Sequence, residues 1–177
     1  MKEIEPGQNR KIAALKFTFH VHFLFGGIMK KEFLDLTIKY AHKAYRMNEV
    51  PVGAVIVKDN KIIGFGYNKK EKNNSILEHA ELNAIKMAQK KLHNWRLNDC
   101  DIYISLDPCP MCASAIKQAR IKNVYSALSN SDLNNLQIIT EIFKKDKINP
   151  EVNFISNLSP LESKKILNSF FKNQRKD

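Results

Sequence analysis

Asp101-Ile102-Tyr103-Ile104-Ser105-Leu106-Asp107-Pro108-Cys109-Pro110-Met111-Cys112 reads as a strand, a short loop and the first turn of a helix. Asp101 to Ser105 has the length and the β-branched content of a strand. Proline at 110 suits the first helical position, where no backbone N–H is needed, and the spacing predicts a helix from there through Ala119. The paired cysteines thus sit where a strand hands over to a helix. Upstream, His79-Ala80-Glu81 follows a polar loop from Asn68 to Glu78 and opens a helical stretch from Ala80 to Lys91. Both motifs fall at strand-loop-helix junctions, so two helix N-termini can converge on one site.

One His and two Cys leave a tetrahedral zinc one protein ligand short. Catalytic zinc keeps such a position open, whereas structural zinc is usually closed by four protein ligands. Taken alone, the Cys-x-x-Cys pair could be a redox couple, half of a structural zinc site or coincidence. A redox disulfide needs neither His79 nor Glu81. The order, the separation and Pro108 ahead of Cys109 favour one catalytic zinc per subunit, bound by His79, Cys109 and Cys112. Zinc lowers the pKa of water from about 16 toward about 7. Hydrolysis of an aromatic amine then needs a group that takes the proton from water and delivers it to the ring and to the leaving nitrogen. Glu81, beside the metal but not bound to it, is the candidate for that shuttle, and the positive end of its helix favours the ionised carboxylate.

The rest of the chain supplies an alternating frame. Lys31 to Met47 is an amphipathic helix with Phe33, Leu34, Leu36, Ile38, Tyr40, Ala41 and Ala44 on its apolar face. Val50-Pro51-Val52-Gly53 breaks it, and Ala54 to Val57 and Ile62 to Tyr67 form strands around a tight Asp59-Asn60 turn. Further strands are expected at Val124 to Leu128 and Val152 to Ile155, with helical runs from Leu136 to Phe143 and from Pro160 to Arg175. Strands alternating with helices imply an α/β sheet covered on both faces.

A chain of 177 residues is one domain with room for a core. Hydrophobic residues at 44% and charged residues at 27% put it in the ordinary soluble class. Three cysteines are too few for a disulfide framework, which favours a reducing compartment, the cytoplasm. Cys100, outside the motif, reads as a packing residue. The net charge of +11 suits a polyanionic partner. Residues 1–28 differ from the remainder. Phe17 to Ile28 is apolar after basic residues, yet it lacks a small-residue cleavage site and is too short and interrupted to span a membrane. Gly26-Gly27-Ile28-Met29 can be encoded by a purine-rich run just ahead of an ATG, so Met29 is the expected natural start, with 29–177 as the deaminase-type zinc domain. Residues 1–28 hold four basic and two acidic side chains, so the remainder keeps +9 and the basic bias belongs to the domain.

From about Glu32 to Arg175 the chain resembles bacterial tRNA-specific adenosine deaminases of the cytidine deaminase superfamily. His-x-Glu with Pro-Cys-x-x-Cys is the signature of zinc nucleobase deaminases at large. More specific are Glu49-Val50-Pro51-Val52-Gly53-Ala54-Val55, Asn68 ahead of His79, Asn94-Trp95-Arg96-Leu97 and the terminal Phe170-Phe171-Lys172-x-x-Arg175. The resemblance implies a three-layer α/β/α sandwich with a mixed five-stranded sheet, a homodimer, and conversion of the wobble adenosine of a tRNA anticodon to inosine. It further implies that Asn68 hydrogen-bonds the nucleoside, that Val50 and Leu106 line the base, and that the Ala80 backbone reads the base edge. Phe170, Phe171, Lys172 and Arg175 offer aromatic and cationic contacts for the anticodon stem-loop.

The chain departs from that pattern in three places. Asp107 stands where the family usually has Glu, Glu78 precedes His79 where a small residue is common, and Leu128-Ser129-Asn130 replaces an Arg-Asp pair followed by a glycine-rich stretch. The last change falls where the family holds the substrate's sugar and backbone. It gives the best support to a second reading, deamination of a free base or nucleoside such as guanine or cytosine. A non-catalytic zinc-containing nucleic-acid binder would have no use for Glu81.

Overall fold

Asp59 and Asn60 both adopt positive φ, 48° and 59°, and so form the two-residue turn that the right-handed twist of a hairpin demands. They join β1 (Gly53–Lys58) to β2 (Lys61–Tyr67). The structure is a computed structural model that describes residues 29–130 and 133–175; the leader expected over 1–28 lies outside them. The hairpin forms one edge of a five-stranded sheet ordered β2-β1-β3-β4-β5, with β3 (Asp101–Ile104), β4 (Asn123–Ser126) and β5 (Asn153–Ile155). β1 pairs antiparallel with β2 and with β3, whereas β3-β4 and β4-β5 are parallel. The mixed sheet is the one implied by the resemblance.

Among the described residues five helices cover it: α1 (Lys31–Arg46), α2 (Ala80–Leu92), α3 (Pro110–Gln118), α4 (Leu133–Phe143) and α5 (Pro160–Gln174). Alternation along the strands divides the core into two layers. Ile102 and Ile104 join Ala84, Ala88, Ala113 and Ile116 of α2 and α3 in one apolar cluster. Tyr103 turns the other way, stacks on Tyr125 at 4.9 Å and meets Phe33 of α1 at a tilt of 57° and 5.2 Å. Full burial of each such side chain contributes about 1.5–3 kcal/mol, which fixes the register of the strands that end at the site.

Two glycines set how closely α2 approaches the hairpin. A Cβ on Gly66 would come within 2.0 Å of the Ala80 carbonyl oxygen, and one on Gly64 within 2.5 Å of the Ala84 carbonyl oxygen. Only a bare backbone lets the first turn of α2 lie against β2. That close approach places residues 79 to 81 beside the strand ends.

The boundaries read from sequence agree with the structure except in the second half. α4 begins at Leu133, ahead of the apolar run from Leu136, and β4 ends at Ser126, short of the expected Leu128. Beyond Ser126 the chain leaves the ladder. The Ala127 N–H still bonds to the Ile104 carbonyl, and the Leu128 carbonyl accepts from the Asp107 N–H at 2.9 Å. The segment therefore turns across the end of β3 as a loop.

Candidate active site

His79 and Cys109 occupy equivalent positions, each the N-cap of its helix with extended backbone (φ −76°, ψ 153° and φ −74°, ψ 166°). Neither side chain caps its own helix, so both project into the space between the two N-termini. There His79 Nδ1 lies 3.5 Å from Cys112 Sγ and 3.8 Å from Cys109 Sγ. Candidate ligand atoms of all three residues fall within 4.8 Å of one another. Zn–N bonds of about 2.0–2.1 Å and Zn–S bonds of about 2.3 Å at a tetrahedral angle put ligand nitrogen and sulfur about 3.6 Å apart. The observed spacings match that edge, and the donor set of one imidazole and two thiols suits a zinc-type ion. His79, Cys109 and Cys112 could therefore hold a metal.

The electrostatics of the group follow from burial and proximity. The Cys112 thiol donates toward Cys109, which brings the Cys109 thiol down to about 5, while Cys112 itself is held well above its ordinary value. Glu81, in the first turn of α2, is only 4% exposed. Burial pushes its carboxyl up to about 7, with Cys109 adding to the rise and hydrogen bonds from its own backbone and Cys112 opposing it. A carboxyl poised near neutrality next to a metal-binding group can both accept and return a proton.

Glu81, His79 and Cys109 face a cavity of about 240 Å³ that Val50, Val52, Asn68 and Leu106 also line, a space of nucleobase size. Val50, Asn68 and Leu106 were all singled out from the sequence. Ala80 is different. It is fully buried, and its N–H donates to Asn68 Oδ1 at 2.9 Å. That donor is engaged by Asn68, which couples the Ala80 backbone to the cavity wall. Asn68 also donates from Nδ2 to the Val50 carbonyl at 2.9 Å, and so ties the α1–β1 loop to the start of α2. The side chain acts as a brace across the cavity wall, with one further hydrogen-bonding capacity at each end.

Two buried carboxylates were not recognised as organisers of the cavity. Glu49, 1% exposed, accepts the backbone N–H groups of Glu71 (3.1 Å) and Lys72 (2.8 Å) and latches the β2–α2 loop that brings Lys70 and Glu71 to the cavity mouth. Asp107, 5% exposed, accepts from Ser156 Oγ at 2.6 Å, Ser129 Oγ at 3.2 Å and the Asn130 N–H at 3.1 Å. The segment lacking the family's Arg-Asp pair is thus bound to the shortened carboxylate at 107. Two of the departures are joined by hydrogen bonds. The third, Glu78, is not among the cavity-lining residues; its backbone closes the loop through Lys69 and Ser75.

The C-terminal helix divides the candidate RNA contacts. Phe170 is buried and meets Tyr45 of α1 edge-on at 6.2 Å. It docks the helix, which removes it from the list of contacts. Phe171, Lys172 and Arg175 are exposed. The helix end is held beside the cavity-forming loop by Asn173 on the Tyr45 hydroxyl (3.0 Å) and Gln174 on Asn48 (2.7 Å).

Comparison with known proteins agrees with this geometry. The model of the MafB19-like deaminase family matches residues 28–175. A tRNA-specific adenosine deaminase of Streptococcus pyogenes serotype M1 is 35% identical over 143 residues, 81% of this chain and 84% of that protein. A solved structure from work on A-to-I editing by tRNA:A34 deaminases at the wobble position of transfer RNA superposes with a TM-score of 0.72 at 33% identity, covering 78% of this chain and all of that one. Guanine deaminase from Bacillus subtilis is also 33% identical, with a TM-score of 0.57 and coverage of 84% and 96%.

Proposed function

The chain belongs to the MafB19-like deaminase family, and from that premise we propose that it is a zinc-dependent hydrolase converting the wobble adenosine of a tRNA anticodon to inosine. The observation that carries the reading is the meeting of His79, Cys109 and Cys112 with the buried Glu81 at one wall of a nucleobase-sized cavity. The identity with tRNA-specific adenosine deaminases over most of both chains supplies the substrate.

In this reading His79, Cys109 and Cys112 would hold one zinc per subunit, which when bound would supply the Lewis acidity that makes water a nucleophile near neutral pH. Water adds to the ring carbon bearing the amino group, and the amino nitrogen leaves as ammonia. Glu81 takes the proton from water and passes it to the adjacent ring nitrogen, then helps transfer the second to the departing nitrogen. Burial keeps its carboxyl available in both protonation states. Val50 and Leu106 exclude water from the faces of the base, and Asn68 offers its remaining donor and acceptor to the nucleoside. An adenine stacked within a duplex cannot reach this depth, so the base must be splayed from a loop. Phe171, Lys172 and Arg175 lie at the helix end that Gln174 ties to Asn48 and would supply stacking and phosphate contacts.

The family resemblance supports a homodimer. Among the described residues no helix is long and apolar enough to cross a membrane. A tRNA-processing role supports a cytoplasmic location. The test is direct: incubate the zinc-loaded protein with an anticodon stem-loop RNA and, separately, with free guanine and cytosine, and assay inosine and ammonia. Inosine in the RNA is the expected result. The likeness to Bacillus subtilis guanine deaminase, with the altered Leu128–Asn130 segment, supports the alternative of a free-base or nucleoside deaminase. Turnover of guanine with inert RNA would establish that reading instead.

A further inference from the structure

Three rings lie parallel between α1 and β2. Tyr40 stacks on Phe65 with centroids 4.7 Å apart and planes 8° apart, and on Tyr67 at 6.3 Å and 2°. Two ammonium groups gather over the last ring, Lys43 Nζ at 4.6 Å and Lys69 Nζ at 4.9 Å from its centroid. Two like charges at one half-buried ring repel each other, and the quadrupole of the ring offsets only part of that cost. Lys70, next in the chain, has Glu71 within 3.7 Å. Among the described residues neither Lys43 nor Lys69 has a carboxylate within ion-pair distance. Tyr67 immediately precedes Asn68 in the cavity wall, and the Lys69 N–H is fixed to the Glu78 carbonyl at 2.9 Å, one residue from His79.

We infer that the Tyr67 ring with Lys43 and Lys69 is a second RNA-contacting surface, which takes the phosphates of the nucleotides flanking the target base. A surface of unpaired cations on an aromatic platform fits single-stranded RNA, where phosphates meet Lys and sugars or bases lie against rings. Together with Phe171, Lys172 and Arg175 it would grip the chain on either side of a splayed base. The inference rests on the proposed RNA substrate.

The test uses the full-length, zinc-loaded protein and an anticodon stem-loop. Lys43→Gln with Lys69→Gln removes the two cations from exposed or half-exposed positions without disturbing the core. Single-stranded contacts contribute about 0.7 each to the slope of log affinity against log salt, so two contacts flatten it by about 1.4. Between 50 and 200 mM salt the double variant should therefore lose affinity about sevenfold less than the wild type does. Its KM for the stem-loop should rise at low salt, with the larger effect in KM rather than in kcat. As a control, Lys61→Gln with Lys122→Gln removes the same charge elsewhere. Lys61 opens β2 and lies about 20 Å from Tyr67 along the strand, and the slope should stay near that of the wild type. An unchanged slope in the Lys43/Lys69 variant, or an equal loss in the control, overturns the inference. Failure of the wild type itself to form inosine in the RNA would instead overturn the proposed function.

Discussion

Asp107→Ala tests whether the loop at residues 128–130 is held as the geometry indicates. The wild-type carboxylate accepts three hydrogen bonds, from Ser156 Oγ, Ser129 Oγ and the Asn130 N–H. A hydrogen bond to a charged partner contributes about 1.5–3 kcal/mol, so a simple sum would be about 4.5–9 kcal/mol. That sum is too large here. Ser129, Asn130 and Ser156 are all half-buried, and water can replace the lost acceptor at each. A cost of about 2–3 kcal/mol remains, mainly the short Ser156 bond and the part of the Asn130 donor that water reaches poorly. For a domain of this size 1 kcal/mol moves Tm by about 2–4 °C, so the expected fall is about 5–10 °C.

The effect on function should be larger than the effect on fold. Asp107 and Leu106 line the cavity, and the Asp107 N–H bonds to the Leu128 carbonyl, so releasing the loop moves one wall. KM for the stem-loop should rise severalfold while metal content stays at one per chain. Asp107→Asn separates shape from charge. Its oxygen can still accept from Ser129 and Asn130, and its amide can donate to the Ser156 hydroxyl, so the cost should fall to about 1 kcal/mol. Asp107→Glu adds a methylene to a 5% exposed position and should destabilise by about 1–3 kcal/mol. Calorimetry and steady-state kinetics on the three variants decide the matter. If Asp107→Ala melts within about 2 °C of the wild type with the same KM, the carboxylate does not hold the loop and the reasoning fails.

Zinc should bind one per chain; either Cys→Ser change at 109 or 112 should lower metal content and solubility, because ligation energy also supports folding, and normal zinc stoichiometry in a Cys109→Ala, Cys112→Ala double variant would exclude these ligands. Glu81→Gln should keep its metal by elemental analysis while turnover drops by about a hundred- to ten-thousandfold; near-normal turnover would assign the proton transfer to another group. A chain starting at Met29 should fold, load zinc and turn over like the full-length protein. Loss of activity with an intact fold would give residues 1–28 a function.

What the sequence disclosed was governed by local rules. Hydrophobic periodicity placed α1 and the strands, the Asp59-Asn60 pair specified its own turn, and Pro110 marked the start of α3. The candidate metal group was legible because each of its three residues lies at a helix N-terminus, so two short motifs named both the residues and their meeting point. Long-range polar contacts follow no such rule. Glu49 bonds to backbone N–H groups at 71 and 72, and Asp107 to partners at 129, 130 and 156. A backbone donor leaves no trace in residue identity, and a serine on the surface reads the same whether it is bonded or solvated. Phe170 and Phe171 show the same limit on a helix: adjacent side chains diverge by about 100°, yet only the packing of α5 on Tyr45 decides which one is buried. The departures at 107 and at 128–130, taken one by one, weakened the likeness to the family. Hydrogen bonds from Ser129 and Asn130 join them at the Asp107 carboxylate, and Asp107 itself lines the cavity, so the two positions act on the site through one side chain.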